Sequence, residues 1–290
     1  MPQHFLAAWA KNKQLFRYRY IEEADRFECK KSTIRRTASV ESLYDINLPD
    51  GAFEIESSII TPKLDEIGYK ALDQARSIPL SGLTNEVKKD LAFYLTCLEA
   101  RNPEILEAMS VSDEDFKKIK GEVERASRSS QESIDEVFSY IGKSTSKGVM
   151  ALALFVTNEL SGVLEKPFHH GLLNSNAVEF NFPENCLITS DYPTFRMDHY
   201  HREVLFCVAI SPKKALIYSK NEFANVVPEL PVDVQADFIN VLTLAKAKFA
   251  YSYSSEHESF IENHLGWALA DSSQHKIQEY ISNFLGEALR

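Results

Sequence analysis

The sequence is poor in the residues that mark specialised chains. Its 4 cysteines, Cys29, Cys97, Cys186 and Cys207, lie far apart, so neither a disulfide framework nor a Cys-rich zinc module is written into it. They read as reduced core thiols of a cytosolic protein. With 10 Gly and 11 Pro in 290 residues, collagen-like and loop-dominated chains are excluded. Long hydrophobic runs are missing too. The longest, residues 149–156, breaks at Thr157-Asn158-Glu159, well short of the roughly 20 apolar residues that span a bilayer. No basic start leads into an apolar stretch and a small-residue cleavage site, so a cytoplasmic protein with no membrane partner is expected. A positive balance is also lacking. The formal net charge of -10 argues against a dedicated coat for nucleic acid.

What is present is enough apolar material, 44% of the chain, for a substantial core, expected here as a single domain over 1–290. Charge is unevenly distributed. Residues 1–40 carry nine Lys/Arg against four acids, or +5, which leaves -15 for the other 250 residues. In Leu15-Phe16-Arg17-Tyr18-Arg19-Tyr20 basic and aromatic residues alternate. A strand would place Phe16, Tyr18 and Tyr20 on one face and Arg17 and Arg19 on the other. That second face is either a solvated strand surface or a patch for phosphate.

The elements run strands, helices, strands, helices. A short helical or turn segment at 2–10 precedes a hairpin of 15–20 with 26–32. No clean period follows until the turn signal Leu48-Pro49-Asp50-Gly51. Ile60, Leu64, Ile67 and Ala71 have helical spacing, and the next helix, from Val87, should stop near Asn102 because Pro103 follows. Residues 112–146 read as a charged helical excursion, and 147–164 as a buried helix. A short strand at 186–189 and a hairpin of 203–210 with 215–219 come next, then helices at 232–251 and 274–289. The fold class expected is α+β, helix-rich, with the N-terminal and central hairpins joined in one mainly antiparallel sheet.

Several landmarks together carry a resemblance. Pro2-Gln3-His4-Phe5-Leu6-Ala7-Ala8-Trp9-Ala10 with Leu15-Phe16-Arg17-Tyr18 resembles the opening "HYVPQ-x-x-L-x-x-F... W-x-Y" of a bacterial family of domains of unknown function, number 4238 in that series. Ser39-Val40-Glu41-Ser42-Leu43-Tyr44, the helix lead-in Glu54-Ile55-Glu56 and Arg101-Asn102-Pro103 resemble its next motifs. Ile188-Thr189-Ser190-Asp191-Tyr192-Pro193 is similar to its "TSDNP" signature, with Tyr192 in place of the asparagine. Ile210-Ser211-Pro212, 238–242 and 249–252 also match its pattern. Where that pattern has His-Tyr ahead of Pro-Gln, this sequence has Met1. The resemblance covers most of the chain and implies no particular reaction.

Asp191, at a strand end before a Pro-containing turn, is either a cap accepting backbone N–H groups or a displayed carboxylate for general-base or metal chemistry. Asp198-His199-Tyr200-His201 is the densest metal-capable cluster. In an extended segment His199 and His201 face the same way, and with Asp191 they form the candidate set for a divalent metal such as zinc or manganese. Asp191 and Glu203 have the spacing of a restriction-type nuclease core, although Leu205 stands where that chemistry needs a lysine and Lys213 or Lys214 would have to substitute. Arg101 is a helix-terminal cation or an anion clamp. Asn240, on an otherwise apolar helix, is a satisfied buried amide or a pocket donor. Gln3 and His4 can join such a pocket.

Two readings follow. In the first, a hydrolase-like enzyme acts on nucleic acid or a phosphorylated small molecule, with Asp191, His4, Arg101 and Asn240 as catalytic candidates. Gln3, Arg17, Arg19 and Tyr44 are then the substrate-side candidates. In the second, the chain is a binding or interaction module with a protein partner, such as a component of a bacterial defence or mobile-element system.

Overall fold

Strands β1 (Gln14–Ile21) and β2 (Arg26–Thr33) form the expected N-terminal hairpin, in register from Gln14 opposite Thr33 to Ile21 opposite Arg26. A 3-10 turn, Glu22–Ala24, ends at Asp25, whose φ of 43° a short polar side chain tolerates. The alternation works out as the sequence suggests. Tyr18 is buried with Ile188, Leu244, Ala250 and Ile261, and Phe16 packs on the same cluster. The other face is covered as well: Leu15 is buried with Leu6 and Tyr251, so Arg17 and Arg19 do not lie on a simply solvated surface.

The computed structural model describes residues 2–38, 45–48, 51–54, 65–101, 170–198, 204–219, 223–269 and 273–288. The expected excursion at 112–146, the helix at 147–164, and Tyr44, His199, His201 and Glu203 lie outside them. The chain divides into two compact units. One comprises Met1–Ser39, Tyr69–Leu98 and Phe168–Arg290, the other Val40–Gly68 and Glu99–Pro167.

The larger unit holds two four-stranded sheets, which corrects the expectation of one. In the first, β10 (Phe249–Ser252) lies between β1 and the short β6 (Thr189–Ser190), giving the order β2-β1-β10-β6. In the second, β5 (Asn176–Asn181), β9 (Lys214–Ser219), β8 (Val204–Ser211) and β7 (Thr194–Asp198) run in that order, all antiparallel. The central hairpin β8–β9 is therefore real, but its edges are taken by β5 and β7, while the outer edge of β1 is taken by β10. Residues 205–210 and 214–219 are all buried, as the near-continuous apolar run of a sheet centre requires.

Helix 232–251, expected in one piece, is a helix only over Val232–Leu244. Phe249-Ala250-Tyr251-Ser252 turns away to become β10, because two strands need it as a partner. The Val232–Leu244 helix packs on β6, β7 and β8, and so serves both sheets. Helices α1 (Gln3–Leu6), α2 (Ile34–Ala38), α3 (Glu66–Ser77) and α4 (Asn85–Ala100) come earlier in the chain. The last stops at Arg101, ahead of Pro103, as anticipated. In the smaller unit β3 (Asp45–Leu48) pairs with β4 (Gly51–Glu54), so Glu54 closes a strand, and Ile55-Glu56 lie outside the described residues. No described helix is long and apolar enough to cross a membrane.

Candidate functional site

The segment 186–193 is held at every step. Asn240 accepts the Ile188 N–H on its Oδ1 and donates from Nδ2 to the Cys186 carbonyl, 2.9 Å in each case. Trp9 Nε1 donates to the Leu187 carbonyl at 3.2 Å. Ser190 Oγ accepts the Tyr192 N–H at 3.1 Å and lies 2.7 and 2.9 Å from the carbonyls of Tyr192 and Thr243, which share its one proton. Asn240 is thus a satisfied buried amide that fastens the approach to β6.

Asp191 ends that strand by replacing one main-chain group with a side-chain one. Its N–H donates to the Phe249 carbonyl at 3.0 Å, continuing the ladder beyond Ser190 opposite Ala250. The Phe249 N–H, however, goes to Asp191 Oδ1 and not to the Asp191 carbonyl, and the Lys248 N–H joins it there, both at 3.1 Å. Pro193 has no N–H with which to continue the ladder. Thr194 then begins β7, so residues 191–193 are a direct link from the first sheet to the second. Burial pushes the Asp191 carboxyl up to about 6, against the pull of the Phe249, Lys248 and Asp191 N–H groups. Oδ2 receives no hydrogen bond among the described residues.

Beside Asp191 lies a cross-strand row. Arg17 is opposite Tyr251, and Tyr251 is opposite Thr189, so the three side chains share one sheet face. Arg17 lies with its guanidinium carbon 4.8 Å from the Phe249 ring centroid, and its Nε is buried without a hydrogen-bond partner. Tyr251 is only 5% exposed, and its hydroxyl has no hydrogen-bond partner among the described residues. Burial raises the Tyr251 phenol, the Asp191 charge raises it further, and Arg17 acts the other way. Tyr251 therefore lies within electrostatic reach of both Asp191 and Arg17. The Oγ1 atoms of Thr189 and Thr194, which bracket the link, are also buried and unpartnered.

The other expected site residues have different partners. His4 Nε2 faces the Tyr94 hydroxyl at 2.7 Å, and its ring meets Tyr69 edge-on at 5.4 Å. Gln3 is exposed on α1. Arg19 pairs with Glu28 at 2.9 Å, which also holds Lys30 at 2.8 Å. Arg101 belongs to the smaller unit, where it forks onto Asp65 at 2.7 and 3.3 Å. Neither lysine considered for a nuclease core is spare: Lys213 Nζ donates to the Pro183 carbonyl, and Lys214 Nζ reaches the Ile78 carbonyl and Glu179. Among the described residues no three His, Cys, Asp or Glu side chains gather as a metal site. The residue that sequence reasoning missed is Tyr251, absorbed into a helix; only the pairing of β10 with β1 and β6 places it.

The sequence model of the family described as "Protein of unknown function (DUF4238)" matches residues 1–258. The chain belongs to this family. No curated protein and no solved structure matches it. In this member the signature Thr189-Ser190-Asp191-Tyr192-Pro193 ends a strand, caps it with a carboxylate and passes the chain between two sheets.

Proposed function

We propose that the chain is a hydrolase-like enzyme acting on a phosphorylated small molecule or nucleic acid, with Asp191 as its proton-transfer group. One observation carries this reading: a carboxylate anchored through Oδ1 alone shares a sheet face with an arginine and a tyrosine that lack hydrogen-bond partners. Anchoring one oxygen fixes the direction of the other. A carboxyl raised to about 6 is largely ionised at neutral pH yet basic enough to take a proton from an attacking water. Water oxygen would bond to phosphorus as the ester oxygen leaves, with the water's proton passing to Asp191 and then to the leaving oxygen. Asn240 and Ser190 are positioning residues in this scheme.

The test is hydrolysis of chromogenic phosphate esters and short oligonucleotides by wild type and Asp191→Asn, with circular dichroism as a check on folding. The asparagine keeps an oxygen for the two N–H groups, so a folded protein with activity reduced at least about 100-fold is expected. Equal activity would sink the proposal. A second reading, a non-catalytic interaction module, is favoured by the two N–H groups on Oδ1, which are also what a pure strand cap needs. It expects Asp191→Asn to leave every binding and catalytic readout unchanged.

A further inference from the structure

We propose that Arg17 and Tyr251 form a binding subsite for the terminal phosphate of a phosphate monoester. The subsite deepens the reading of Asp191 as the reacting group and rests on that reading for what then happens to the ester.

The inference starts from hydrogen-bond donors. Elsewhere in the larger unit, the described arginine and tryptophan donors drawn inward have acceptors, although the Thr189 and Thr194 hydroxyls do not. Arg76 gives Nε to the Ile210 carbonyl at 2.6 Å and Nη2 to the Phe5 carbonyl at 3.0 Å. Trp9 and Trp267 give their indole N–H groups to Leu187 and Val241. Arg17 is the exception. Its guanidinium has neither hydrogen bond nor ion pair among the described residues, although the chain has 42 acidic residues to offer. Directly across the ladder, the hydroxyl of Tyr251, a residue only 5% exposed, also has no hydrogen-bond partner among the described residues. The phenol stays protonated at neutral pH, so two donors, one of them cationic, stand opposite each other across the ladder and neither is bonded to an acceptor among the described residues. Such groups are left open at a cost unless an acceptor arrives from outside.

The acceptor's chemistry follows from the surroundings. Arg17 rests with its guanidinium carbon over the Phe249 ring at 4.8 Å, and a guanidinium fork is a shape that suits an oxyanion. A carboxylate has two oxygens, so it serves the fork and the phenol together only by sharing one oxygen between them. A terminal phosphate has three and can serve both groups. The hairpin side is positive: Arg17, Arg19 and Lys30 face a single Glu28, already shared between Arg19 and Lys30. A nucleic-acid backbone is the poorer fit, since the chain outside its first 40 residues carries -15 and would repel a long polyanion.

Isothermal titration with inorganic phosphate at fixed ionic strength tests this on the full chain. Saturable one-site binding is expected, weakened at least about tenfold by Arg17→Met and about three- to tenfold by Tyr251→Phe. Asp191→Asn should bind phosphate as well as wild type or better, because a neighbouring negative charge is gone. Arg17→Lys, which keeps the charge but not the fork, covers the case in which Arg17→Met does not fold, and should weaken binding about threefold or more. No binding to wild type, Arg17 variants within twofold of wild type, or stronger binding of an oligonucleotide without terminal phosphate would each overturn it. If Asp191→Asn keeps full hydrolytic activity while Arg17 governs phosphate binding, the catalytic reading fails and the subsite stands. If activity needs Asp191 but phosphate ignores Arg17, the reverse holds.

Discussion

Lys214 and Arg17 are both cations drawn into sheets of the same unit, and the fold treats them in opposite ways. Lys214 is 5% exposed and fully engaged, its ammonium 3.1 Å from Glu179 and 2.9 Å from the Ile78 carbonyl. Glu179 is engaged in turn, accepting the Leu80 N–H and an Asn181 amide; burial raises its carboxyl, but these bonds and Lys214 outweigh it and hold it below the usual range. Arg17 has a ring beneath it and nothing else. A chain that satisfies one buried cation so completely does not leave the half-buried Arg17 open through a general shortage of partners. The closed pair is architecture; the open one is the subsite proposed above.

The largest effect that would separate the two is Lys214→Met. It strands the Glu179 carboxylate, and a loss of about 3–5 kcal/mol in urea-induced unfolding is expected. A loss below about 1 kcal/mol would show that the closed cluster contributes no more than a surface pair. Asn240→Ala comes next. It orphans the Ile188 N–H and the Cys186 carbonyl in the core, for about 2–3 kcal/mol by the same measurement.

The third effect is a pH slope. The folded Asp191 carboxyl is raised to about 6 from an ordinary 3.8, so between those values the folded state binds the proton more tightly than the unfolded chain. Asp191 therefore favours the fold at low pH and withdraws that support as pH rises from about 4 to 6, by on the order of 1–3 kcal/mol, with no further change above. Asp191→Asn should remove this component when unfolding free energies are compared across pH 4 to 7. An unaltered slope would mean the group titrates normally. Smallest of all is Arg17→Met in ligand-free protein, expected within about 1 kcal/mol of wild type because no partner is stranded. If chemical unfolding gives a loss as large as that of Lys214→Met, Arg17 is structural and the contrast collapses.

How far such features were legible in the residues depends on how local their causes are. The alternation at 15–20 specifies a half-buried strand, and the turn at 211–214 between apolar runs specifies the β8–β9 hairpin, since both signals lie within a few residues. Pro103 stops α4 for the same reason. The composition of the two sheets is a different matter: which strand covers the edge of β1 is decided by residues near 250. Phe249-Ala250-Tyr251-Ser252 follows an apolar helix with so brief a break that periodicity cannot separate them. Asp191 was visible because a carboxylate before a Pro-containing turn has local meaning. Tyr251 was not, because its meaning comes only from standing opposite Arg17. Strands 176–181 and 194–198 do alternate, through Val178 and Phe180 and through Phe195 and Met197, but two alternating apolar residues each are too short a signal to announce a strand.

The position of β10 has a consequence for how the molecule comes into being. Tyr18 and Ser252 touch across 234 residues of chain, so the first hairpin waits for that whole length to be made before its sheet can close. During synthesis the Arg17 side emerges early and stays incomplete. The face that carries Arg17, Tyr251 and Asp191 comes together only when residues 249–252 slot between β1 and β6. A product interrupted before that point has the hairpin and the Asp191 link but no strand to join them, so whatever this face does, it does only once residues 249–252 have been made.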